Sequence, residues 1–144
     1  MTLRAALHAY VREALDISVH DARLSLRPMM PAIVMQFISA TTVQTMSNRR
    51  SLLPRRVQFD VYSNNDKTTD ALATKLLLAL DGYHGPMGDV NIGWATMLND
   101  SDFPPEEAKN TATGNMEPRF RRSLDFEVAY QEATRLEVAP TSSS

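Results

Sequence analysis

The clearest signal along the chain is strict alternation. In "RRVQFDVYS", residues 55–63, Val57, Phe59 and Val61 face one way while Gln58, Asp60 and Tyr62 face the other. That is the period of a strand with one covered face. "RRSLDFEVAYQEA", residues 121–133, repeats the device, with Leu124, Phe126, Val128 and Tyr130 set against Asp125 and Glu127. Both segments open on paired arginines and carry Phe, an acid, Val and Tyr. The likeness is too short to argue an internal repeat. It reads instead as cross-strand complementarity, an arginine on one strand facing an acid on its antiparallel neighbour. "AIVMQFIS", residues 32–39, is largely apolar on both faces and predicts a covered, central strand. "VNIGWATML", residues 90–98, predicts another, with Val90, Ile92 and Trp94 on one face and Gly93 marking a bulge or a weak point. A short strand is expected around Arg23–Leu26, and Pro28 and Pro31 block a helix after it.

Two stretches have helical spacing instead. Leu3, Leu7, Tyr10, Val11 and Leu15 share a face, with Thr2 as the cap and Arg4, Arg12 and Glu13 on the other side. Leu72, Ala73, Leu76 and Leu80 form a second stripe, widened by Leu77 and capped near Asn65 or Asp66. Asp66 and Asp70 fall in its first turns, where negative charge suits the helix dipole. The order α, β, β, β, α, β, β predicts an α+β fold: a mostly antiparallel β-sheet with two α-helices packed on one face. One domain over residues 1–138 is expected, with 139–144, "APTSSS", as a frayed tail.

Two segments lack a clean period. Residues 40–54, with Arg49 and Arg50 near the tip, read as a polar loop or extended arm. Residues 99–118 are acidic at first and rich in loop formers, and a structureless connection of that length is usually functional or disordered.

Composition narrows the chemistry. The chain has 144 residues, no cysteine and a net charge of −2. Disulfides, thiolate metal sites and cysteine nucleophiles are excluded, and no electrostatic footprint of nucleic-acid binding is present. The N-terminus carries charges throughout, unlike a signal peptide, and no apolar run approaches the length of a membrane span.

The glycine-rich "ALDGYHGPMGDV", residues 79–90, invites a phosphate-binding reading that its context defeats. A Walker loop needs Lys and Ser/Thr and then a helix, and a dinucleotide loop runs from strand to helix. Here a helix runs into a strand, and Asp89 at the exit would repel phosphate. Gly82 fits a left-handed helix end, Gly85-Pro86 a turn, and Gly88 the entry to the next strand. His84 has no partner at HxH or HxxxH spacing, so no metal site is expected. No nucleophile pattern such as GxSxG occurs. Asp60 with Asp125 or Glu127 could form paired carboxylates, but arginines on the same face favour salt bridging. No catalytic residue and no cofactor is expected, and the residues favour a non-catalytic domain.

The array "PAIVMQFIS", "RRVQFDVYS", "LLLALDGYHGPMGDVNI", "LNDSDFPPE" and "RRSLDFEVAYQE" resembles the tail-completion proteins, the tail terminators of long-tailed phages and of phage-derived gene transfer agents. The resemblance covers about residues 25 to 132. It implies an α+β subunit of a hexameric ring, assembled in the host cytoplasm and carried in the virion neck. Such a ring caps the head-proximal end of the tail tube, stops its polymerisation and joins it to the head-completion (stopper) protein. DNA crosses the lumen without being read, which a negative net charge suits. Partners are then copies of the same chain, the tail tube protein and the stopper, with no membrane. Ring contacts are heterologous, which makes the 40–54 and 99–118 segments candidate interfaces. Arg49 and Arg50 would pair with partner acids such as Asp100, Asp102, Glu106 or Glu107. The alternatives are another neck component, a head-closure or tail-tube protein, or a small enzyme or ligand-binding domain using the His84 loop.

Overall fold

The computed structural model describes residues 2–21, 30–38, 53–109 and 114–132. The described residues form helix α1 (Leu3–Leu15), strands β1 (Ser18–Asp21), β2 (Ala32–Ile38) and β3 (Leu53–Ser63), helix α2 (Asp66–Leu80), and strands β4 (Gly85–Met87), β5 (Val90–Lys109) and β6 (Met116–Glu132). The strands lie in one sheet in the order β1-β2-β3-β6-β5-β4. All neighbours are antiparallel except β1 and β2, which run parallel. The α+β fold expected from the sequence is the observed one.

Each helix begins where a side-chain oxygen can take up free N–H groups. The Thr2 hydroxyl accepts from the Ala5 N–H at 3.2 Å. Asn65 Oδ1 accepts from Lys67 N–H at 2.8 Å, and Asp66 follows in the first turn of α2. At the other end, α1 stops at Asp16, left-handed at φ 54. Beyond α2, Gly82 turns left-handed at φ 80 and its N–H donates to the Ala95 carbonyl of β5 at 2.7 Å. Gly82 is therefore the helix exit the sequence predicts, and it also stitches the helix end to the sheet.

Register decides which side of the sheet becomes the core. Val57 lies opposite Phe126 and Phe59 opposite Leu124, so the apolar sets of β3 and β6 share one face. Ile33 and Met35 of β2 and Ile92 and Ala95 of β5 join them there. The helices cover that face with Leu3, Leu7, Val11 and Leu15 from α1 and Leu72, Leu76 and Leu80 from α2. Phe59 and Phe126 meet edge to face at 5.9 Å between ring centres, a favourable aromatic arrangement. Tyr10 binds the two helices together: its hydroxyl donates to the Ala79 carbonyl at 2.6 Å and its ring meets Tyr83 at 5.1 Å. Burial and the neighbouring Tyr83 raise the Tyr10 hydroxyl above its ordinary pKa, so it stays a neutral donor.

Four sequence expectations change. The strand expected around Arg23–Leu26 and the arm over 40–54 lie mostly outside the described residues, as does the 139–144 tail. A strand instead follows α1 directly, at Ser18–Asp21, too short to announce a period. Gly85-Pro86 is not a turn but part of β4, which pairs with Val90–Ile92. The tight turn falls at Gly88-Asp89, where Gly88 supplies a φ of 59, as a two-residue hairpin needs. Residues 99–118 are not a long loop: β5 continues to Lys109 and β6 starts at Met116. Register shifts between Ile92 and Trp94, Met97 and Asn99, and Phe103 and Glu106 absorb Gly93 and Pro104-Pro105. The first of these bulges also puts Trp94 opposite Ala129 while Ile92 faces Tyr130. Trp94 is thus on the other face from Ile92 and 41% exposed, against the expected shared face.

Truncating Phe59 to Ala removes an aromatic pair and opens a cavity between β3 and β6. The expected loss is about 3–5 kcal/mol of unfolding free energy in urea titration. Leu78→Ala, at a 77% exposed position, should stay within about 0.5 kcal/mol.

Candidate functional site

Two adjacent residues on a strand point to opposite faces. Each arginine pair is therefore split by the sheet. Arg55 goes to the helix side, where its guanidinium lies over the Phe37 ring at 4.8 Å. Arg56 goes to the open side and binds Asp125 at 2.7 Å. Arg121 also takes the open side, 3.4 Å from the Asp60 carboxylate and 4.2 Å over the Phe103 ring. Arg122 takes the helix side, where it reaches Asp100 of β5 at 2.6 Å and Asp70 of α2 at 2.8 Å.

The open face becomes a connected polar ladder. Gln58 donates to Asp60 at 2.9 Å and to Ser123 at 3.2 Å, and the Ser123 hydroxyl closes a short bond to Asp60. Asp60, Ser123 and Asp125 are buried although they face away from the helices. Their partners supply the hydrogen bonds that burial of a polar group demands. Tyr62, beside this ladder, is raised above its ordinary pKa by burial first and by the Asp60 charge second. The sequence-level expectation of arginine facing acid across β3 and β6 is met at Arg56–Asp125 and Arg121–Asp60.

Arg122 works differently. One guanidinium ties β6 to both β5 and the first turns of α2. Its hydrogen bonds hold the Asp100 carboxyl below its ordinary pKa, and the Asp100 contact in turn pushes the guanidinium pKa further up. Asp100, expected at a subunit interface, is thus occupied within the chain.

Beyond this point β5 and β6 leave the sheet. The pairing of β3 with β6 ends at Ser63 opposite Phe120, while β5 and β6 stay paired as far as Lys109 opposite Met116. The result is a two-stranded arm reaching roughly 20 Å past Phe103 at strand spacing. Asp102, Phe103, Pro104, Pro105, Glu106 and Glu107 are all exposed along it, with Met116 on the return strand. Among the described residues Asp102, Glu106 and Glu107 make no ion pair. Proline at positions 104 and 105 withholds two N–H groups from this strand, a common guard against uncontrolled edge pairing.

Of the interface candidates, Asp102, Glu106 and Glu107 sit together on the arm, Asp100 sits at its root, and Arg49 and Arg50 lie outside the described residues. His84 is exposed. Among the described residues no group of three His, Asp or Glu could hold a metal ion, and no helix is long and apolar enough to cross a membrane. Sequence reasoning missed the Arg122 clamp and the stacking on Phe37. The doubled arginines were the available signal, since a pair on a strand must serve both faces.

No known family model matches the chain, and no curated protein does. Among solved structures, a chain from the virion of a native gene transfer agent particle shares the fold at TM-score 0.55 and 12% identity, covering 90% of this chain and 97% of that one. A second solved chain aligns at TM-score 0.46 and 12% identity over 89% of this chain and 96% of that one, too loosely to carry an argument.

Asp100→Asn tests the clamp. Because the folded carboxyl is lowered relative to the unfolded one, its stabilisation is present above the ordinary carboxylate range and is lost as pH falls through the folded value. The variant should be about 1 kcal/mol less stable than wild type at pH 7. That gap should close as unfolding is measured from about pH 5 down to about pH 2.

Proposed function

We propose that this chain is a structural protein of a phage-like particle, the tail terminator. Six copies close a ring on the head-proximal end of the tail tube, stop tube growth and present the opposite surface to the head-completion protein. DNA passes through the lumen without sequence reading. The observation that carries this reading is the fold shared, over nearly the whole of both chains, with a chain of a gene transfer agent virion. The described surface is in keeping with it. Asp60, Ser123 and Asp125 of β3 and β6 are bonded within the sheet, and an exposed two-stranded arm projects from the described residues. A subunit of this shape can make the head-to-tail contacts that a cyclic ring needs.

The test is the mass of the purified protein by light scattering, with negative-stain images, alone and after incubation with tail tubes. Closed rings of about six copies, free or seated on tube ends, are expected, together with tubes of fixed length. Stacks that grow without a partner would assign a tube protein instead, and an unchanged monomer in both settings would reject the reading.

A further inference from the structure

The two most exposed large apolar side chains among the described residues are Leu78 of α2, 77% exposed, and Met116 of the arm, 59% exposed. Each stands in line with charges of one sign, and the two signs are opposite. On α2, Lys67, Lys75 and Leu78 are exposed and fall within about 80° of the helix circumference. Lys67 is in the first turn, where the helix dipole disfavours a positive charge, and its helical neighbour Asp70 is held by Arg122. Lys75 has no acid three or four residues away on either side, the positions from which a helix neighbour could pair with it. Neither lysine makes an ion pair among the described residues. On the arm, Asp102 lies opposite Arg122, Glu107 opposite Pro118, and Met116 two residues beyond Pro118. Alternation puts all three on the same side of the arm as Arg122. Asp102 and Glu107 are exposed and make no ion pair among the described residues.

The two rows agree in order and in spacing. Along α2, Lys67 and Lys75 are about 12 Å apart and Leu78 follows about 5 Å later. Along the arm, Asp102 and Glu107 are about 13 Å apart and Met116 follows about 7 Å later. The flexible lysine stem takes up the difference. One chain cannot lay its own arm on its own α2. Asp81, just past the end of α2, accepts the Met97 N–H at 2.9 Å, opposite Phe126. That level is about 33 Å from Met116 at strand spacing, and Leu78 is only about one turn back along α2.

The geometry points to an arm-on-helix contact between successive copies of this chain: the arm of one subunit lies along the outer face of α2 of the next. Asp102 and Glu107 meet Lys67 and Lys75, and Met116 packs on Leu78. The contact rests on the head-to-tail assembly proposed above and names the surfaces that make it. The charges set register and direction, and the apolar pair forms the dry centre. A bare two-stranded arm is marginally stable in water, and a neighbouring helix gives it the second layer it lacks in the single chain. Arm and helix face are different patches of one surface, which is the heterologous geometry of rings.

The experiment uses charge reversal in the full-length protein. One variant carries Asp102→Lys with Glu107→Lys, a second Lys67→Glu with Lys75→Glu, and a third all four changes. The first two set like charge against like at every junction, and the third restores opposite charge with the signs exchanged. Masses are read by sedimentation and light scattering, alone and on tail tubes. Each half-reversed protein should self-associate at least about tenfold more weakly than wild type, and the fourfold exchange should recover wild-type assembly. Leu78→Ala should weaken association too while its urea unfolding stays that of wild type, which separates a contact from a folding role. Wild-type association should fall as salt rises. Half-reversed proteins that assemble as wild type does, or weakened ones that the exchange fails to restore, would overturn the contact and leave the ring reading standing. An exchanged protein and a wild type that both associate only into open fibres would keep the contact and overturn the closed ring. A wild type that stays monomeric both free and on tubes would overturn both.

Discussion

The pairing of β3 with β6 is the constraint on which the rest of the molecule depends. With Phe59 opposite Leu124 and Gln58 opposite Asp125, the middle of one face of the central strand pair is apolar and the other face holds the arginine–aspartate ladder. Side chains alternate with a period of two, so a slip by one residue would send Val57, Phe59 and Val61 to the polar side and Asp60 into the helices. Either displacement costs several kcal/mol. The polar ladder thus acts less as glue than as a selector of register. Its hydrogen bonds and ion pairs are formed only in the native alignment, and in any other they leave buried charges unmet.

That selection has consequences outward in both directions. Toward the helices it produces the continuous surface on which α1 and α2 lie, and Arg122 fixes the end of that surface by holding Asp70 of α2 and Asp100 of β5 together. Away from the core it fixes where β5 and β6 part company with β3, and so where the arm begins. A packed body with one projecting, weakly packed element suits the assembling subunit proposed above. The body sets the direction of the arm, and the arm leaves its apolar and acidic groups exposed in the single chain. The buried ladder has no such freedom, since its acids are already bonded.

Much of the body is legible in the sequence because its signals are local. Alternation in residues 55–63 and 121–130, the leucine stripe from Leu72 to Leu80, and the caps Thr2 and Asn65 each lie within one element. What escapes is decided between elements. β1 and β4 are three or four residues long and exist because a neighbouring strand pairs with them. The run from Asn99 to Pro118 reads as a loop because of its acids and its prolines, yet bulges let a long hairpin carry all of them. Trp94 misleads for the same reason, since one bulge reverses its face. Of the chemistry, the facing of arginine and aspartate across β3 and β6 can be read from the repeated "RR…D" pattern. The stacking of Arg4 and Arg55 on Phe37 cannot, because it joins α1, β2 and β3.

Amide hydrogen exchange tests the division into packed body and projecting arm most directly. In the free protein the account predicts slow exchange at Val57–Val61 and Leu124–Val128 and fast exchange along 102–109 and 116–119, with protection of the arm appearing on assembly into rings or on tail tubes. An arm already protected in the free chain, or one whose exchange is unchanged by assembly, would contradict it.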